Sequence, residues 1–216
     1  MIILGLTGSI GMGKSTAAGM MRRLGVPVHD ADRVVHGLLG RGGAAVARIE
    51  HLFGRDVIRD GAVDRPKLGA KVFGDPAALK RLEAILHPLV RRAERRFLAQ
   101  AATRRTRVAA LDIPLLFETG GERRVDVTLV VTAPAFIQRL RVLARPGMSA
   151  ERLASILKRQ TPDAEKRRRA DFVIQTGLGK APALRRLKRI VKIIRARPGH
   201  HWPPRRPLPF AGNRHA

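Results

Sequence analysis

The segment that most constrains the fold lies at the start of the chain, where an apolar run at Ile2–Thr7 leads directly into GSIGMGKST at residues 8–16. The apolar run with its glycine stop predicts a short buried strand, and Lys14 to Leu24 predicts a helix that ends before Gly25. A strand, a glycine-rich bend and a helix in this order fit the pattern G-x-x-x-x-G-K-[ST]. The pattern predicts a phosphate-binding loop between the first strand and the first helix.

The residues of this loop are of the types that bind the triphosphate of a nucleotide. Glycines let the backbone turn tightly and point its N–H groups at phosphate oxygens, and the start of the following helix faces the same anion. Lys14 reaches the outer phosphates as a point charge, Ser15 offers its hydroxyl to Mg²⁺, and Thr16 adds a contact to an inner phosphate. The residues expected to hold the nucleotide are Gly8, Gly11, Met12, Gly13, Lys14, Ser15 and Thr16.

Length and composition limit the other classes of protein. A chain of 216 residues suits one α/β domain with a modest insertion. It contains no apolar stretch of the roughly 18–20 residues needed to span a bilayer, and no basic segment precedes its first apolar run, so we expect neither membrane attachment nor a signal peptide. The absence of cysteine excludes disulfides and thiolate metal sites and fits a reducing cytoplasm, which we take as the location.

The chain is strongly basic, with 43 Lys and Arg against 17 Asp and Glu and a formal charge of +26. Such a surface attracts polyanions and phosphorylated small molecules. Nucleic-acid binding without sequence preference usually combines a basic groove with aromatic stacking platforms, but the chain has only seven Phe, one Trp and no Tyr. We therefore read most of this charge as solvated surface and expect no specific nucleic-acid partner.

Strands alternate with helical stretches along the chain, which is typical of a parallel sheet covered by helices on both faces. The later strands are expected at Val26–His29, at 108–117 with its exit, at 125–133 and at 171–176. Together with the first run they predict a three-layer α/β fold with five parallel strands. Ser149 is expected to cap a helix that extends to about Gln160.

The stretch from about Asp32 to Thr103 has only helical patterning and reads as an inserted lobe. Asp75 followed by Pro76 predicts a helix start, with the aspartate as N-cap. Pro88 interrupts the apolar stripe of that helix, and proline inside a helix costs about 3 kcal/mol or more. We therefore predict a break at His87 and a new helix from Pro88 to about Ala101.

Three aspartates lie at or just after the ends of buried strands, and ligands of open parallel sheets bind beyond the carboxyl ends of the strands. Asp30 is expected to cap the next helix, whereas Asp32 is placed to accept a hydroxyl proton and to orient that hydroxyl for in-line attack. Asp112 ends the strand in LDIPLLFE and is expected near substrate or Mg²⁺.

Five motifs in a fixed order resemble the dephospho-CoA kinase family over roughly residues 1–195. They are LTGSIGMGKST, DAD at 30–32, HPLV at 87–90, DIPLLFE at 112–118 and ADFVI at 170–174. The resemblance implies a fold like that of nucleoside-monophosphate kinases, and phosphorylation by ATP of the ribose 3′-hydroxyl of dephospho-CoA, the final step of coenzyme A synthesis. It implies a nucleotide-binding core at 1–31 and 104–196, a mobile lid at about 141–168 and a helical CoA-binding lobe at 32–103, and we expect a disordered basic tail at 197–216.

The same resemblance implies roles for side chains outside the loop. The aspartate at position 32 is the expected base, and the lid supplies arginines to the transferring phosphoryl group, whose spread charge suits planar guanidinium groups. Arg139 is the first choice for this role and Arg145 is a further nucleotide contact; the arginine candidates are Arg139, Arg141, Arg145, Arg152 and Arg159. The expected substrate contacts are Asp32, His87, Asp112, Leu115 and Phe117.

Two other functions stay open from the sequence. A different nucleoside or nucleotide kinase would use the same loop and base, although the helical lobe with its HPLV segment suits a long substrate such as dephospho-CoA. A nucleic-acid-dependent NTPase would use the basic strip after Asp171, where no acidic residue follows. The adjacent pair His200 and His201 lacks carboxylate support and is read as disordered tail, not as a metal site. The oligomeric state is not predicted.

Overall fold

The computed structural model describes residues 1–203. It divides the chain into two compact units, one made of Met1–Val28 and the chain from Arg105 onward, the other of His29–Arg104. The strands are β1 (Ile2–Thr7), β2 (Val28–Asp30), β3 (Ile58–Arg59), β4 (Ala62–Val63), β5 (Val108–Asp112), β6 (Val127–Thr132) and β7 (Phe172–Gln175). The α-helices are α1 (Lys14–Arg23), α2 (Ala31–Leu39), α3 (Val46–Phe53), α4 (Arg65–Val72), α5 (Pro76–Thr103), α6 (Ala135–Leu143), α7 (Ala150–Lys158), α8 (Asp163–Arg169) and α9 (Lys180–Arg195).

The chain forms a five-stranded sheet with the strand order β2-β5-β1-β6-β7, and β1, β5, β6 and β7 belong to the first unit. β1 lies at its centre and pairs in parallel with both β5 and β6, and β6 pairs in parallel with β7. Every residue of β1, β5 and β6 is buried, as expected for strands covered by helices on both faces. The predicted α/β fold with five parallel strands is confirmed.

The core of the first unit lies between the sheet and helices α1 and α9. Met20 and Met21 of α1 and Leu187, Ile190 and Ile194 of α9 belong to the same buried cluster as the β1 and β6 side chains. The outward face of α9 carries arginine and lysine, so this helix is amphipathic. This packing fixes the positions of the strands. The glycine-rich loop follows the carboxyl end of β1.

The second unit has its own small core, which includes Ile49, Phe53, Val57 and Leu68. The prediction that this stretch is entirely helical is wrong, because β3 and β4 form an antiparallel hairpin. Its turn is Asp60-Gly61, and both residues have positive φ, 52° and 74°. An Asp-Gly pair between apolar residues is a strong signal for such a tight hairpin turn, so the sequence did contain the sign of this element.

Helix α5 runs without a break through Pro88. The predicted interruption at His87 is therefore wrong. Proline removes one backbone donor from the helix, but Leu82, Ile85, Leu86 and Leu89 on both sides of it pack against the same buried cluster. Packing of one continuous apolar face thus outweighs the local cost of the proline, and HPLV lies within a helix and not at a junction.

Three predicted helix starts are confirmed by hydrogen bonds. A side-chain oxygen of Asp30 accepts from the N–H of Arg33, and one of Asp75 accepts from two N–H groups of α5. The Ser149 hydroxyl accepts from the N–H of Arg152. Among residues 1–203 no helix is both long and apolar enough to cross a membrane.

The segment after α9 differs from the prediction of a disordered tail over the part that the structure describes. The N–H groups of His200 and His201 donate to Asp126, whose other carboxylate oxygen accepts from the N–H of Ile3 in β1. The ring of His201 lies between Asp126 and the carbonyl of Arg123. Residues 197–203 are therefore held against the first unit by a buried carboxylate that no sequence pattern signals. Residues 204–216, predicted to be disordered, lie outside the described residues.

Candidate phosphate-binding site

The loop between β1 and α1 has the backbone of an anion-binding turn. Gly11 and Gly13 have φ values of 76° and 89°, a left-handed conformation that side chains disfavour. Helix α1 begins at Lys14 directly after Gly13, and no side chain caps its first N–H groups. Those donors and the positive end of the helix dipole are therefore available to an anion.

At Gly8 the loop lies directly against the sheet. A Cβ atom there would lie 2.5 Å from Cγ2 of Val131 and 2.6 Å from the carbonyl oxygen of the same residue. The second contact is to backbone of the central sheet, which cannot turn away. A glycine at this position thus lets the loop begin directly over β6.

We predict opposite effects for the same substitution at two glycines of this region. Gly8→Ala forces the loop off Val131 and should lower the free energy of unfolding by about 1–3 kcal/mol. Gly19→Ala lies within α1 with nothing within 4 Å of its new Cβ, and should raise that free energy by about 0.5–1 kcal/mol. Urea unfolding of the two variants measures both. Equal midpoints for the two variants would contradict the close approach at Gly8.

The charged centre of the site is an ion pair between the loop and β5. The Lys14 Nζ atom donates to Oδ1 of Asp112 at 2.6 Å. Asp112 is paired in register with Leu6, so both groups lie where neighbouring strands end. The lysine side chain is 16% exposed and the aspartate side chain 4%, which leaves the ammonium partly accessible while its carboxylate partner is buried. The structure therefore brings together two of the predicted site residues, separated by 98 positions in the sequence.

Arg141, a candidate for the transferring phosphoryl group, supports the loop through hydrogen bonds. Its guanidinium donates to the carbonyl of Gly11 at 3.4 Å and to the hydroxyl and carbonyl of Thr176 at 3.0 and 2.9 Å. The Thr176 hydroxyl in turn donates to the carbonyl of Met12 at 2.8 Å. These bonds from both terminal nitrogens of Arg141 join the end of β7 to the loop, and the action of Arg141 on a phosphoryl group stays a prediction.

The side chain of Met12 points into the protein. It is buried, and its sulfur accepts a hydrogen bond from the N–H of Ala133 at 3.0 Å. Any contact of Met12 with a nucleotide would therefore come from its backbone. Ser15 and Thr16, by contrast, are exposed in the first turn of α1.

The remaining arginine candidates lie on the surface. Arg139 is close enough to Glu151 to contribute to the lowered pKa of that carboxyl, whose main cause is a hydrogen bond with Ser149. Arg152 donates to the carbonyl of Gly147 at 2.9 Å. Arg139, Arg145, Arg152 and Arg159 are all exposed. Their action on a phosphoryl group stays a prediction.

The predicted substrate contacts differ in accessibility. Leu115 is 40% exposed, as a contact to a ligand requires. Phe117 is only 6% exposed, and the guanidinium carbon of Arg169 lies 4.6 Å from the centre of its ring. The structure therefore makes Phe117 a core residue covered by an arginine. Asp32 in the first turn of α2 and the exposed His87 within α5 belong to the second unit, and their contacts with substrate stay predictions.

Two glutamine side chains that the sequence analysis missed bind the loop at Ile10. Nε2 of Gln138 in α6 donates to the Ile10 carbonyl at 2.8 Å. Oε1 of Gln160, just after α7, accepts from the Ile10 N–H at 3.2 Å. Glutamines at these positions carry no local signal, because their partner lies 128 and 150 residues away along the chain.

A buried ion pair fixes the chain next to Gln160. Lys166 is fully buried, and its Nζ lies 2.9 Å from Oε1 of Glu118, which also accepts from the N–H of Thr161 at 2.8 Å. Burial alone would raise the pKa of Glu118, but the nearby ammonium of Lys166 and the hydrogen bond from Thr161 bring that pKa below its ordinary value. Asp163 accepts from the Thr132 hydroxyl at 2.8 Å. The end of the predicted lid is thus attached to the sheet.

Comparison with known protein families identifies the family to which the chain belongs. A family model described as dephospho-CoA kinase matches residues 2–180. The chain belongs to the dephospho-CoA kinase family. A dephospho-CoA kinase of Paramagnetospirillum magneticum is 67% identical over 195 residues, which cover 90% of this chain and 92% of the relative. One of Mesorhizobium japonicum is 58% identical over 199 residues, which cover 92% of this chain and 100% of the relative.

Solved structures agree with this membership of the dephospho-CoA kinase family. The crystal structure of TT1252 from Thermus thermophilus matches with a TM-score of 0.77 and 39% identity, covering 89% of this chain and 96% of that one. Dephospho-CoA kinase from Campylobacter jejuni matches with a TM-score of 0.60 and 25% identity over the same shares. The sequence resemblance to this family is confirmed.

Proposed function

We propose that the protein transfers the γ-phosphoryl group of ATP to the ribose 3′-hydroxyl of dephospho-CoA and releases coenzyme A and ADP. The observation that carries the proposal is the 2.6 Å pair of Lys14 and Asp112 beside the glycine-rich loop, within a chain that belongs to the dephospho-CoA kinase family. Membership of the family indicates the substrate, and the loop is the proposed binding site of the phosphates.

The loop and Lys14 supply the electrostatic part of the reaction. The uncapped N–H groups at the start of α1 bind phosphate oxygens, and the ammonium of Lys14 neutralises charge on the outer phosphates. Asp112 holds that ammonium in place before nucleotide arrives. Because the donors are already oriented, little reorganisation is needed when charge shifts toward the leaving ADP.

Asp32 is the proposed base. Its carboxylate accepts the proton of the 3′-hydroxyl as the hydroxyl oxygen attacks the γ-phosphorus and the bond from phosphorus to the bridging oxygen of ADP breaks. Asp30 caps α2 and fixes the first turn in which Asp32 lies. The exposed arginines, Arg139 first among them, are the proposed partners of the transferring phosphoryl oxygens.

Mg²⁺ fits this site as a companion of the nucleotide. Magnesium usually takes one or two protein oxygens and completes its shell with phosphate oxygens and water. The exposed Ser15 hydroxyl in the first helical turn is such a donor, and within residues 1–203 no cluster of three or more His, Cys, Asp or Glu offers a separate metal cage. When bound, the ion would neutralise charge on the β- and γ-phosphates. We propose the cytoplasm as the compartment, in keeping with the absence of cysteine.

The test is ADP release in a coupled assay with Mg-ATP and dephospho-CoA, for the wild-type protein and for Asp32→Asn. We expect turnover with dephospho-CoA, and a fall of about 10²- to 10⁴-fold in the variant, the range of a lost general base. Asp64→Asn is the matched control, because Asp64 caps α4 in the same unit and has no proposed part in catalysis.

Adenosine, AMP and CMP serve as alternative acceptors in the same assay. Turnover with one of them and none with dephospho-CoA would move the substrate to another small-molecule kinase reaction and leave the loop assignment intact. Stimulation of ATP hydrolysis by nucleic acid without any response to dephospho-CoA would overturn the kinase proposal.

A further inference from the structure

The peptide of Ile10 is held on both sides by side chains. Its carbonyl accepts from Gln138 at 2.8 Å and its N–H donates to Gln160 at 3.2 Å. Water satisfies most such groups in surface loops at little cost, whereas fixing a glutamine costs up to about 2 kcal/mol of rotamer entropy. Two ordered glutamines on one peptide indicate that the position of this peptide is important for function, and that the bonds do more than satisfy its polar groups.

The two glutamines delimit the arginine-bearing segment. Gln138 directly precedes Arg139, and Gln160 directly follows Arg159, so all five arginine candidates lie between the two contacts. Within the segment α6 and α7 are joined by a turn around Gly147. Both ends of residues 139–159 are thus tied to a single peptide of the phosphate-binding loop.

The backbone at both glutamines is held in place by the surrounding protein. Gln138 is buried within α6. Gln160 is half-buried and is followed by Thr161, whose N–H is bound to Glu118. Each glutamine therefore starts from a fixed backbone, and a displacement of Ile10 would be transmitted through both side chains to the segment between them.

We infer that Gln138 and Gln160 are positioning residues that align the arginine segment with the phosphates held by the loop. The inference deepens the proposed function, because it concerns the geometry of phosphoryl transfer at the same site. Both glutamine side chains are bound to Ile10, and neither is assigned a contact with a reacting atom. Through their hydrogen bonds to Ile10, the position of the loop with bound phosphates sets the position of the guanidinium groups.

The test replaces each glutamine by methionine, which keeps the length of the side chain and removes the hydrogen bond. For Gln138→Met and for Gln160→Met we expect kcat to fall about 10- to 100-fold, since misplacement by about 1 Å can cost 10²-fold. The dissociation constant for ATP, measured by direct binding, should change less than about threefold because the N–H donors of α1 are untouched. Gln100→Met, on the exposed surface of α5, is the control.

Hydrogen exchange provides a readout that does not depend on the acceptor. We expect ATP to slow amide exchange over residues 139–159 in the wild-type protein and in Gln100→Met, and to have little effect on that segment in the other two variants. The inference is overturned if ATP protects the segment equally in all four proteins. It is also overturned if kcat stays within twofold of wild type, or if the loss lies wholly in ATP binding.

The two proposals fail in different ways. A wild-type protein that binds ATP but does not phosphorylate dephospho-CoA contradicts the proposed function, and the exchange experiment then decides the role of the glutamines alone. Urea unfolding of each variant excludes a loss of folded protein as the cause of a lower kcat.

Discussion

Lys14→Met is expected to lower kcat by about 10³-fold or more, equivalent to roughly 4 kcal/mol of transition-state stabilisation. The ammonium lies next to the loop, 2.6 Å from Asp112, and methionine keeps the side-chain length while removing the charge. With the lysine gone, the negative charge that builds on the outer phosphates has no protein cation at this point, and the carboxylate of Asp112 faces the phosphates instead. The coupled ADP assay measures the loss.

Lys188→Met is the matched control for this prediction. Lys188 is exposed on the outward face of α9, so its replacement removes one charge of the same kind from a surface that the proposed reaction does not use. We expect kcat for this variant to stay within about twofold of wild type. A comparable loss in both variants would mean that the overall positive charge, and not the position of Lys14, drives the reaction.

Lys166→Met is expected to lower the free energy of unfolding by about 3–5 kcal/mol, the usual cost of removing one partner from a buried ion pair. Lys166 is fully buried and Glu118 largely so, and in the variant the carboxylate would lose its cationic partner while it keeps the bond from the N–H of Thr161. Chemical unfolding at pH 7 measures the effect. Lys192→Met, an exposed lysine of α9, should change the free energy of unfolding by no more than about 0.5 kcal/mol.

Acid should reduce the difference between Lys166→Met and wild type. The pKa of Glu118 lies below its ordinary value in the folded protein, so this carboxylate stabilises the fold above the unfolded pKa, and the contribution is lost as the pH falls through the folded pKa. The double variant Lys166→Met with Glu118→Gln removes both charges and should recover most of the lost stability. A loss in Lys166→Met that is independent of pH and is not recovered in the double variant would indicate a packing defect and not an unpaired charge.

The parts of the fold that were predictable from sequence are those set by neighbouring residues. The strand, glycine bend and lysine of the phosphate loop form one contiguous stretch, and the caps at Asp30, Asp75 and Ser149 act within three residues of themselves. The position of Asp112 at the end of a buried parallel strand also follows from a local pattern, whereas its ion pair with Lys14 was not predicted.

The errors arose where distant packing decides the local structure. Pro88 was expected to end a helix, but the apolar residues on both sides of it share one buried cluster, which a proline rule applied to neighbours alone does not include. The hairpin at Asp60-Gly61 was different, since its signal was present and was outweighed by the helical pattern around it. The glutamines at Ile10 and the buried Lys166 could not be found, because their partners lie 48 to 150 residues away and glutamine and lysine are ordinarily surface residues.

The carboxylate of Asp126 joins two parts of the chain that are far apart in sequence. It binds the N–H of Ile3 and the N–H groups of His200 and His201, so the first strand and the segment after the last helix meet at one side chain. A short peptide would suffice to join these two points, and the chain could then be opened at the exposed Asp60-Gly61 turn. In such a circular permutant the phosphate loop would lie inside the polypeptide, nearer its C-terminus than its N-terminus, and the same sheet would be assembled from elements synthesised in a different order.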